Sequence, residues 1–375
     1  MFLNTLDKSF HCLVTLFMFG LFTSNTWCQA QNKTPDPMPV AIAGLTHDHV
    51  HGLLRQLDRK DFIVVGIAES DLNLAKRYSE RYGFDMNMVY PSLSEMLHET
   101  DPEAVLGFGS TYDHLQIVEV CAPAGIHVMV EKPMAVSLDH AKKMESLIKE
   151  YDIKFLVNYE TTWYPTHYRM KKLVDNDSIG PLRKFVVHDG HEGPREIGCS
   201  EEFLSWLTDP ELNGGGAVTD FGCYGANLIT WLMQGEKPTQ VLATLQQIKP
   251  DIYPDVDDEA NILLTYPSAV GIIQASWNWP FSRKDMEVYG KRGWIIADNR
   301  EDLRLRLSNT GQDQIKISNR QSPFSDPFTY FIGVIHEDIT MEPFALSSLE
   351  NNLIVTQILE AAKESARTEK AVSID

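Results

Sequence analysis

"AIAGLTHDHVHG", residues 41–52, joins a short apolar run ending at Ala43 to a stretch in which Leu53, Leu54 and Leu57 are spaced like the apolar stripe of a helix. Strand, tight turn and helix in this order make the place where a glycine-rich backbone and a helix N-terminus cradle a dinucleotide pyrophosphate. Gly44 holds the first glycine position, but Thr46 and His49 stand at the second and third. The second glycine normally lets the pyrophosphate approach the backbone, and the third lets helix and strand pack closely. An anion site therefore survives only in weakened form, and His47, His49 and His51 crowd the turn.

Outward from this turn, short apolar runs alternate with amphipathic stretches. Strands are predicted at 39–43, 62–68, 104–108, 126–130 and 153–157, with helices at 48–58, 71–82, 112–124 and 137–151 between them. Such alternation predicts an α/β fold: a Rossmann-like, doubly wound parallel sheet over 39–157. Its ligand would lie at the carboxyl ends of the strands. After a helix at about 165–176 the pattern changes to period-two segments, among them "RKFVVHDGH" (183–191), "EANILLTYP" (259–267) and "VGIIQASWNW" (270–279). These predict a second α+β domain, 158–375, with an open, largely antiparallel sheet. The tail, 347–368, has apolar residues at helical spacing and no early breaker.

The 375 residues are 43% hydrophobic, enough for two moderate cores. The net charge of −19 excludes a nucleic-acid backbone as partner. Residues 1–30 read as a signal peptide: Lys8 precedes the apolar run Cys12–Phe22, which is short for a membrane span, and cleavage is expected after Ala30. A lipid anchor on Cys28 is the competing outcome. Residues 31–38, "QNKTPDPM", form a linker, and the mature chain is expected to be exported, periplasmic or otherwise extracytoplasmic. Cys121, Cys199 and Cys223 are too few and too scattered for a disulfide framework or thiolate metal site; at most one bridge is expected.

Glu69 closes the second strand about 25 residues beyond Gly44, near the spacing of ~20 at which an acid binds the adenosine ribose. A carboxylate there repels a 2′-phosphate and so favours NAD over NADP. The most specific motif is "VMVEKPMAVSLDHAKKM" (128–144), in which Glu131-Lys132-Pro133 follows an apolar strand and precedes a helix capped by Ser137. With "DPEAVLGFGSTYDHLQIVEVCAPAGIHVMVEKP" (101–133) and "GGGAVTDFGCYGANLITWL" (214–232), it resembles the Gfo/Idh/MocA oxidoreductases, glucose-fructose oxidoreductase and inositol dehydrogenase among them. The resemblance runs over about residues 38–370.

That resemblance implies catalytic roles for Lys132, Asp220 and Tyr224, with Lys132 beside the reacting carbinol and Tyr224 where many members use histidine as the base. A phenol with pKa ~10 needs a nearby ammonium to serve as a base near neutrality, and Lys132 would supply it. Asp220 and Tyr224 are four apart and would share a face if helical. The implied cofactor is tightly bound NAD, loaded before export and held by Gly44, Thr46, His47, His49, Glu69, His114, Glu131 and Lys132. Asn158, Glu160, Trp163, His188, His191 and Arg195 are the substrate candidates. Aromatic rings among carboxylates and amides suit a saccharide or polyol. The implied function is oxidation of a secondary hydroxyl of a sugar, glycoside or polyol by a homo-oligomer paired through the C-terminal sheet. Glycosidase or lyase chemistry on the same scaffold, or carbohydrate binding without catalysis, stand as alternatives. No metal is expected; were one bound, His47 and His51, four apart, would be its ligands together with His114.

Overall fold

The computed structural model describes residues 36–307 and 311–374; the expected signal peptide, the Ala30 cleavage site, Cys28 and the linker up to residue 35 lie outside them. The first sheet is built from β1 (Met38–Ala43), α1 (Val50–Leu54), β2 (Phe62–Ala68), α2 (Leu72–Tyr82), β3 (Val89–Tyr90), α3 (Leu93–Glu99), β4 (Ala104–Gly107), α4 (Asp113–Cys121), β5 (His127–Glu131), α5 (Leu138–Tyr151) and β6 (Phe155–Asn158). All its pairings are parallel, in the order β3-β2-β1-β4-β5-β6. This is the Rossmann strand order, with the switch point between β1 and β4. Helices on both faces explain why β4 and β6 are buried at every position. Local signals set the helix starts: Asp71 accepts the Asn73 and Leu74 amides, and Ser137 accepts the His140 amide.

The remainder comprises α6 (Pro165–Asp175), β7 (Leu182–Gly190), α7 (Glu201–Leu207), α8 (Ala217–Asp220), α9 (Gly222–Leu232), β8 (Gln240–Gln246), β9 (Glu259–Thr265), β10 (Val270–Ser276), β11 (Arg283–Gly290), β12 (Gly293–Ala297), β13 (Asp302–Leu307), β14 (Asp313–Lys316), α10 (Pro327–Ile335), α11 (Leu349–Thr368) and β15 (Val372–Ser373). Nine strands pair in the order β14-β13-β12-β11-β7-β10-β9-β8-β15. Only β7 and β10 run parallel; the other recorded pairs are antiparallel. In β9, Ala260, Ile262 and Leu264 face inward while the residues between them are partly exposed, as period two requires for a half-covered sheet.

The helix after β1 is shorter than expected, Val50–Leu54 instead of 48–58, because residues 47–49 are spent in the turn. The elements β3, α3, α7 and α10 were not expected from the sequence; each is short or shares its apolar residues with a neighbour. One core lies on one face of the first sheet, where Ile42, Leu53, Leu106 and Met129 meet Phe331 of α10. On the opposite face, Val105, Val130 and Val157 belong to a core that continues into Phe185, Ile273 and Leu264 of the second sheet. This shared core, along the seam between the two sheets, makes the described residues from Asp36 onward one compact unit. No helix of the described residues is long and apolar enough to cross a membrane.

Candidate active site

Gly44 adopts φ +82°, and a Cβ there would stand 2.7 Å from the backbone nitrogen of Gly109. The first glycine is thus required by the close approach of the turns after β1 and β4. Beyond it the turn satisfies itself. The His47 amide donates to the Phe108 carbonyl at 2.9 Å, and the His49 amide donates to His47 Nδ1 at 3.1 Å. The latter N–H is aimed at a side chain of its own turn instead of outward at an anion. Glu69 accepts the Leu45 amide (2.9 Å) and the Asp71 amide (2.8 Å), tying the turn to the end of β2. Burial pushes this carboxyl above the usual range. A cavity of ≈ 300 Å³ lies alongside, lined by Gly44, Thr46, Glu69, Ser70 and Asp113. Its position at the ends of β1, β2 and β4 fits the adenosine end of a dinucleotide.

The histidines have fixed tautomers, because each ring has one nitrogen committed. His47 Nδ1 accepts an amide, so its Nε2 carries the proton; Nε2 is buried and has no protein partner. His114 Nδ1 donates to the Met134 carbonyl at 3.2 Å, leaving a bare, buried Nε2. His49 Nδ1 pairs with Glu131 Oε2 at 2.8 Å, and Glu131 Oε1 accepts from Asn158, whose Oδ1 accepts from Trp163. Burial lowers the pKa of both His47 and His114. His51 stands apart, receiving the Tyr82 hydroxyl at 2.9 Å. The set His47, His51 and His114 is thus not assembled: four-residue spacing shares a face only on a helix, and α1 starts at Val50. Instead, potential ligand atoms of His47, His49 and Glu131 lie within 4.8 Å of one another. Coordination through His47 Nε2 would move its proton to Nδ1, against the His49 amide, so the donor chemistry does not fit a cation.

Across the seam, Lys132 Nζ forms an ion pair with Asp220 Oδ1 and donates to the Asp220 carbonyl at 3.1 Å. Asp220 Oδ2 accepts the Trp277 indole N–H at 2.9 Å. Lys132 and Asp220 are both buried. Burial works against the ammonium, but Asp220 outweighs it and Lys132 titrates above its ordinary value. For Asp220, burial is likewise outweighed, by Lys132 and then His191, and its carboxyl titrates below the usual range. The Gly214-Gly215-Gly216 turn makes this meeting possible: a Cβ on Gly216 would lie 1.8 Å from the Asp257 carbonyl oxygen, and one on Gly214 2.6 Å from that of Val136. The Asp257 carboxyl accepts the Gly216 amide (2.9 Å) and the Val218 amide (2.7 Å), clamping the start of α8.

Asp220 and Tyr224 do not share a helix; α8 ends at Asp220 and α9 begins after Phe221. Tyr224 instead offers its ring to two ammoniums, Lys132 at 5.2 Å and Lys284 at 4.9 Å from the centroid. Burial nevertheless raises its phenol well above the ordinary value, with Glu160 adding to the effect. The Lys132 ammonium, expected to assist this phenol, is itself paired with Asp220.

A cavity of ≈ 730 Å³ opens beside this group, lined by Glu160, Tyr164, His191, Lys284, Asp285 and Arg304. Glu160 pairs with Lys284 and accepts the Tyr164 hydroxyl at 2.6 Å; burial is outweighed by Lys284, and its pKa falls to about 2. Two substrate candidates are elsewhere. His188 pairs with Asp285 at 2.9 Å and does not line the cavity, because strand alternation points it away from the covered face. Arg195 is exposed and lies 3.7 Å from Glu201. Trp163 and Asn158 line a neighbouring ≈ 380 Å³ pocket with His49 and Glu131. Sequence reasoning missed Lys284, Asp189, Asp257 and Trp277. Asp189 had a signal: Phe185, Val187 and Asp189 alternate onto the buried face of β7. Both of its carboxyl oxygens are buried without a partner, and burial pushes its pKa well up.

Parallel dinucleotide-type sheet, buried lysine–aspartate pair and polar cavity together define an oxidoreductase class. Residues 38–159 match the family model described as "Oxidoreductase family, NAD-binding Rossmann fold", and residues 167–296 match "GFO/IDH/MocA C-terminal domain". The chain belongs to the Gfo/Idh/MocA oxidoreductase family. Among curated relatives it is 28% identical to the NADP(+) D-xylose 1-dehydrogenase of Haloarcula marismortui, over 70% of this chain and 72% of that one. It is 27% identical to the trans-1,2-dihydrobenzene-1,2-diol dehydrogenase of Bos taurus, over 62% of this chain and 64% of that one, so the match spans just under two thirds of the bovine enzyme. The fold is shared with the aldose-aldose oxidoreductase of Caulobacter crescentus crystallised with glycerol (TM-score 0.76, 22% identity, 90% of this chain and 100% of that one). It is shared equally with an inositol dehydrogenase homologue from Azotobacter vinelandii in complex with NAD+ (TM-score 0.76, 16% identity, 91% and 98%).

Proposed function

We propose that this chain is an exported NAD-dependent oxidoreductase acting on a secondary hydroxyl of a sugar, glycoside or polyol. One observation carries the reading: the buried Lys132–Asp220 pair stands beside Tyr224 where the first sheet's carboxyl edge meets a polar cavity of ≈ 730 Å³. Gly44, Thr46 and Glu69 would hold the adenosine half of NAD, and the buried Nε2 atoms of His47 and His114 supply one unspent donor and one unspent acceptor for its other end. The nicotinamide, when bound, supplies the hydride acceptor. Lys132, fixed by Asp220 and Trp277, hydrogen-bonds the substrate oxygen and stabilises negative charge developing on it. Tyr224, its ring beside Lys132 and Lys284, completes the polar group that handles the proton. Glu160, Lys284 and His191 meet the remaining hydroxyls. The Glu69 carboxylate supports NAD over NADP, whereas the archaeal relative is named for NADP(+).

A second reading, glycoside cleavage on the same scaffold, has its own observation. Lys284 outweighs burial and draws the Glu160 carboxyl down to about 2, while burial pushes that of Asp189 well up, so two carboxyls at the same end of the second sheet are driven apart as acid/base pairs are. Denaturing the purified full chain and measuring released nicotinamide separates these proposals from a non-catalytic binding protein, which would release none. Consumption of a hydroxyl with stoichiometric NADH, as against release of an aglycone without net NADH, then separates oxidation from cleavage. Export is tested by N-terminal sequencing of the chain from its native host: a start at Gln31 supports cleavage after Ala30, and an acylated Cys28 supports the anchor.

A further inference from the structure

A cavity of ≈ 710 Å³ lies among α6, α9 and the two loops that flank α10, and it shares no lining residue with the three cavities described above. That volume falls within the roughly 300–1,000 Å³ of small-molecule sites. Tyr168, Lys171 and Asp175, spaced three and four apart on α6, turn one helix face toward it. Trp231, near the end of α9, stands about 10 Å of helix rise beyond Tyr224. Arg320 and Phe324 come from the loop before α10, Tyr330 from α10 itself, and Phe344 from the loop before α11.

Arg320 sets this cavity apart. Its guanidinium stacks on the Tyr168 ring, with Cζ 3.4 Å from the centroid, and lies 4.9 Å from that of Phe324. A guanidinium drawn in among aromatic rings ordinarily meets a carboxylate, which its planar fork fits with two parallel hydrogen bonds. Among the described residues no carboxylate is paired with it, and Nη1 is buried without a hydrogen-bond partner. The other cation, Lys171, is already paired with Asp175 at 2.5 Å. The walls are aromatic: Trp231 meets Tyr168 edge-on with centroids 5.3 Å apart, and Tyr330 lies 6.0 Å from Phe324. Phe344 adopts φ +60°, in the left-handed region that an aromatic residue seldom enters. Gly235 presses against it, since a Cβ there would stand 2.5 Å from the Phe344 ring. Backbone strain of this kind collects at ligand sites.

We propose that this cavity is a second ligand site, for a small molecule that carries a carboxylate on a six-membered ring. The Arg320 guanidinium donates to the carboxylate, and the rings of Trp231, Phe324, Tyr330 and Phe344 take the faces of the ligand's ring. The site is independent of the oxidoreductase reading, because neither Lys132, Asp220 nor Tyr224 lines it. Charge selects the ligand's sign: Lys171 and Asp175 offset each other, and the charge left against the aromatic wall is that of the guanidinium. Glu342 stands at the exposed edge, where water screens it. A uronic acid and an aromatic acid share this chemistry. The uronic acid adds hydroxyls, for which Asp175, Gln234 and Thr340 are at hand.

The test is calorimetric titration of the full chain with D-glucuronate and with benzoate, and with acetate as a carboxylate that lacks a ring. At least one ring acid is expected to bind, one per chain, roughly tenfold or more tightly than acetate. Tighter binding of D-glucuronate identifies a sugar acid as the ligand, and tighter binding of benzoate an aromatic acid. In Arg320→Gln the affinity is expected to fall roughly tenfold or more, while the unfolding transition and the content of bound nicotinamide match the wild type. Arg320→Lys, which keeps a cation over Tyr168 without the planar fork, should also bind more weakly and serves if the glutamine variant unfolds. Unchanged affinity in whichever of the two variants is folded overturns the proposal. So does acetate binding as tightly as the ring acids, or wild-type protein that binds neither ring acid at millimolar concentration.

Discussion

At the scale of single residues, Lys132 and Asp220 illustrate how a buried pair divides its effects. Replacing Lys132 by Met removes the hydrogen bond proposed to the substrate oxygen and leaves a carboxylate buried with only the Trp277 N–H. Loss of turnover is expected together with a stability loss of about 3–5 kcal/mol, read by urea denaturation. Replacing both partners by apolar residues should recover stability without activity. Asp257 gives a pH signature of the opposite sense to Asp220. Burial raises its carboxyl from 3.8 to about 6 in the folded chain. Between those values the native state holds a proton that the unfolded state has lost, so its contribution to stability falls as pH rises from about 4 through about 6. The full effect is roughly 3 kcal/mol. For Asp220, depressed when folded, the contribution is present above the unfolded carboxylate range and is lost as pH falls through its folded value. Denaturation curves of wild type and Asp257→Asn across this window should differ by the Asp257 slope.

At the scale of elements, the Gly214–Gly216 turn sets where α8 begins, and with it where Asp220 points. Gly216→Ala would push a methyl carbon into the Asp257 carbonyl, 1.8 Å away before relaxation. A loss of several kcal/mol is expected, with any folded fraction impaired in turnover; a variant as stable and active as wild type would contradict this account. On the open face of the second sheet, Leu242, Leu263 and Ile272 lie in cross-strand register on β8, β9 and β10, and Val186 of β7 follows. Leu242 and Ile272 are 42% and 40% exposed. This apolar row supports the proposal that copies of the chain pair here. Leu242→Lys with Ile272→Glu is expected to shift sedimentation velocity toward a monomer, and an unchanged boundary would end the proposal.

Much of this was legible in the sequence because it depends on local pattern. The alternation of short apolar runs and amphipathic stretches gave the parallel sheet, and Glu131-Lys132-Pro133 and Asp220 drew attention to residues that meet at the seam. Whatever depends on distance in the chain was not legible. Lys284 and Trp277 reach the site through sheet register, and the parallel pairing of β7 with β10 has no local mark. Nor did spacing reveal that His49, not His51, would join His47, since that turned on where α1 begins.

At the scale of the whole molecule, the two sheets share a core, so a ligand bound at the carboxyl edge of the first should stabilise the second. Added NAD at a hundred times its dissociation constant is expected to raise the unfolding free energy by about 2.7 kcal/mol in one cooperative transition. NADP at equal concentration should give less if the Glu69 carboxylate meets the ribose as proposed, since it would repel a 2′-phosphate. Two separate transitions, only one of them NAD-dependent, would mean that the halves fold independently.

The Lys132–Asp220 ion pair joins residues 88 apart in sequence, one just after β5 and one at the end of α8, and Trp277 holds it from a third place in the chain. Substitutions in the two halves will therefore be epistatic: a change tolerated on one side alters what is tolerated on the other. A mutational screen scored only by activity would place Trp277 in the active site, although its indole touches the machinery only through Asp220. A screen scored only by abundance would classify Lys132 as structural. Only the two read-outs together would separate residues that perform the chemistry from those that bring its parts into register.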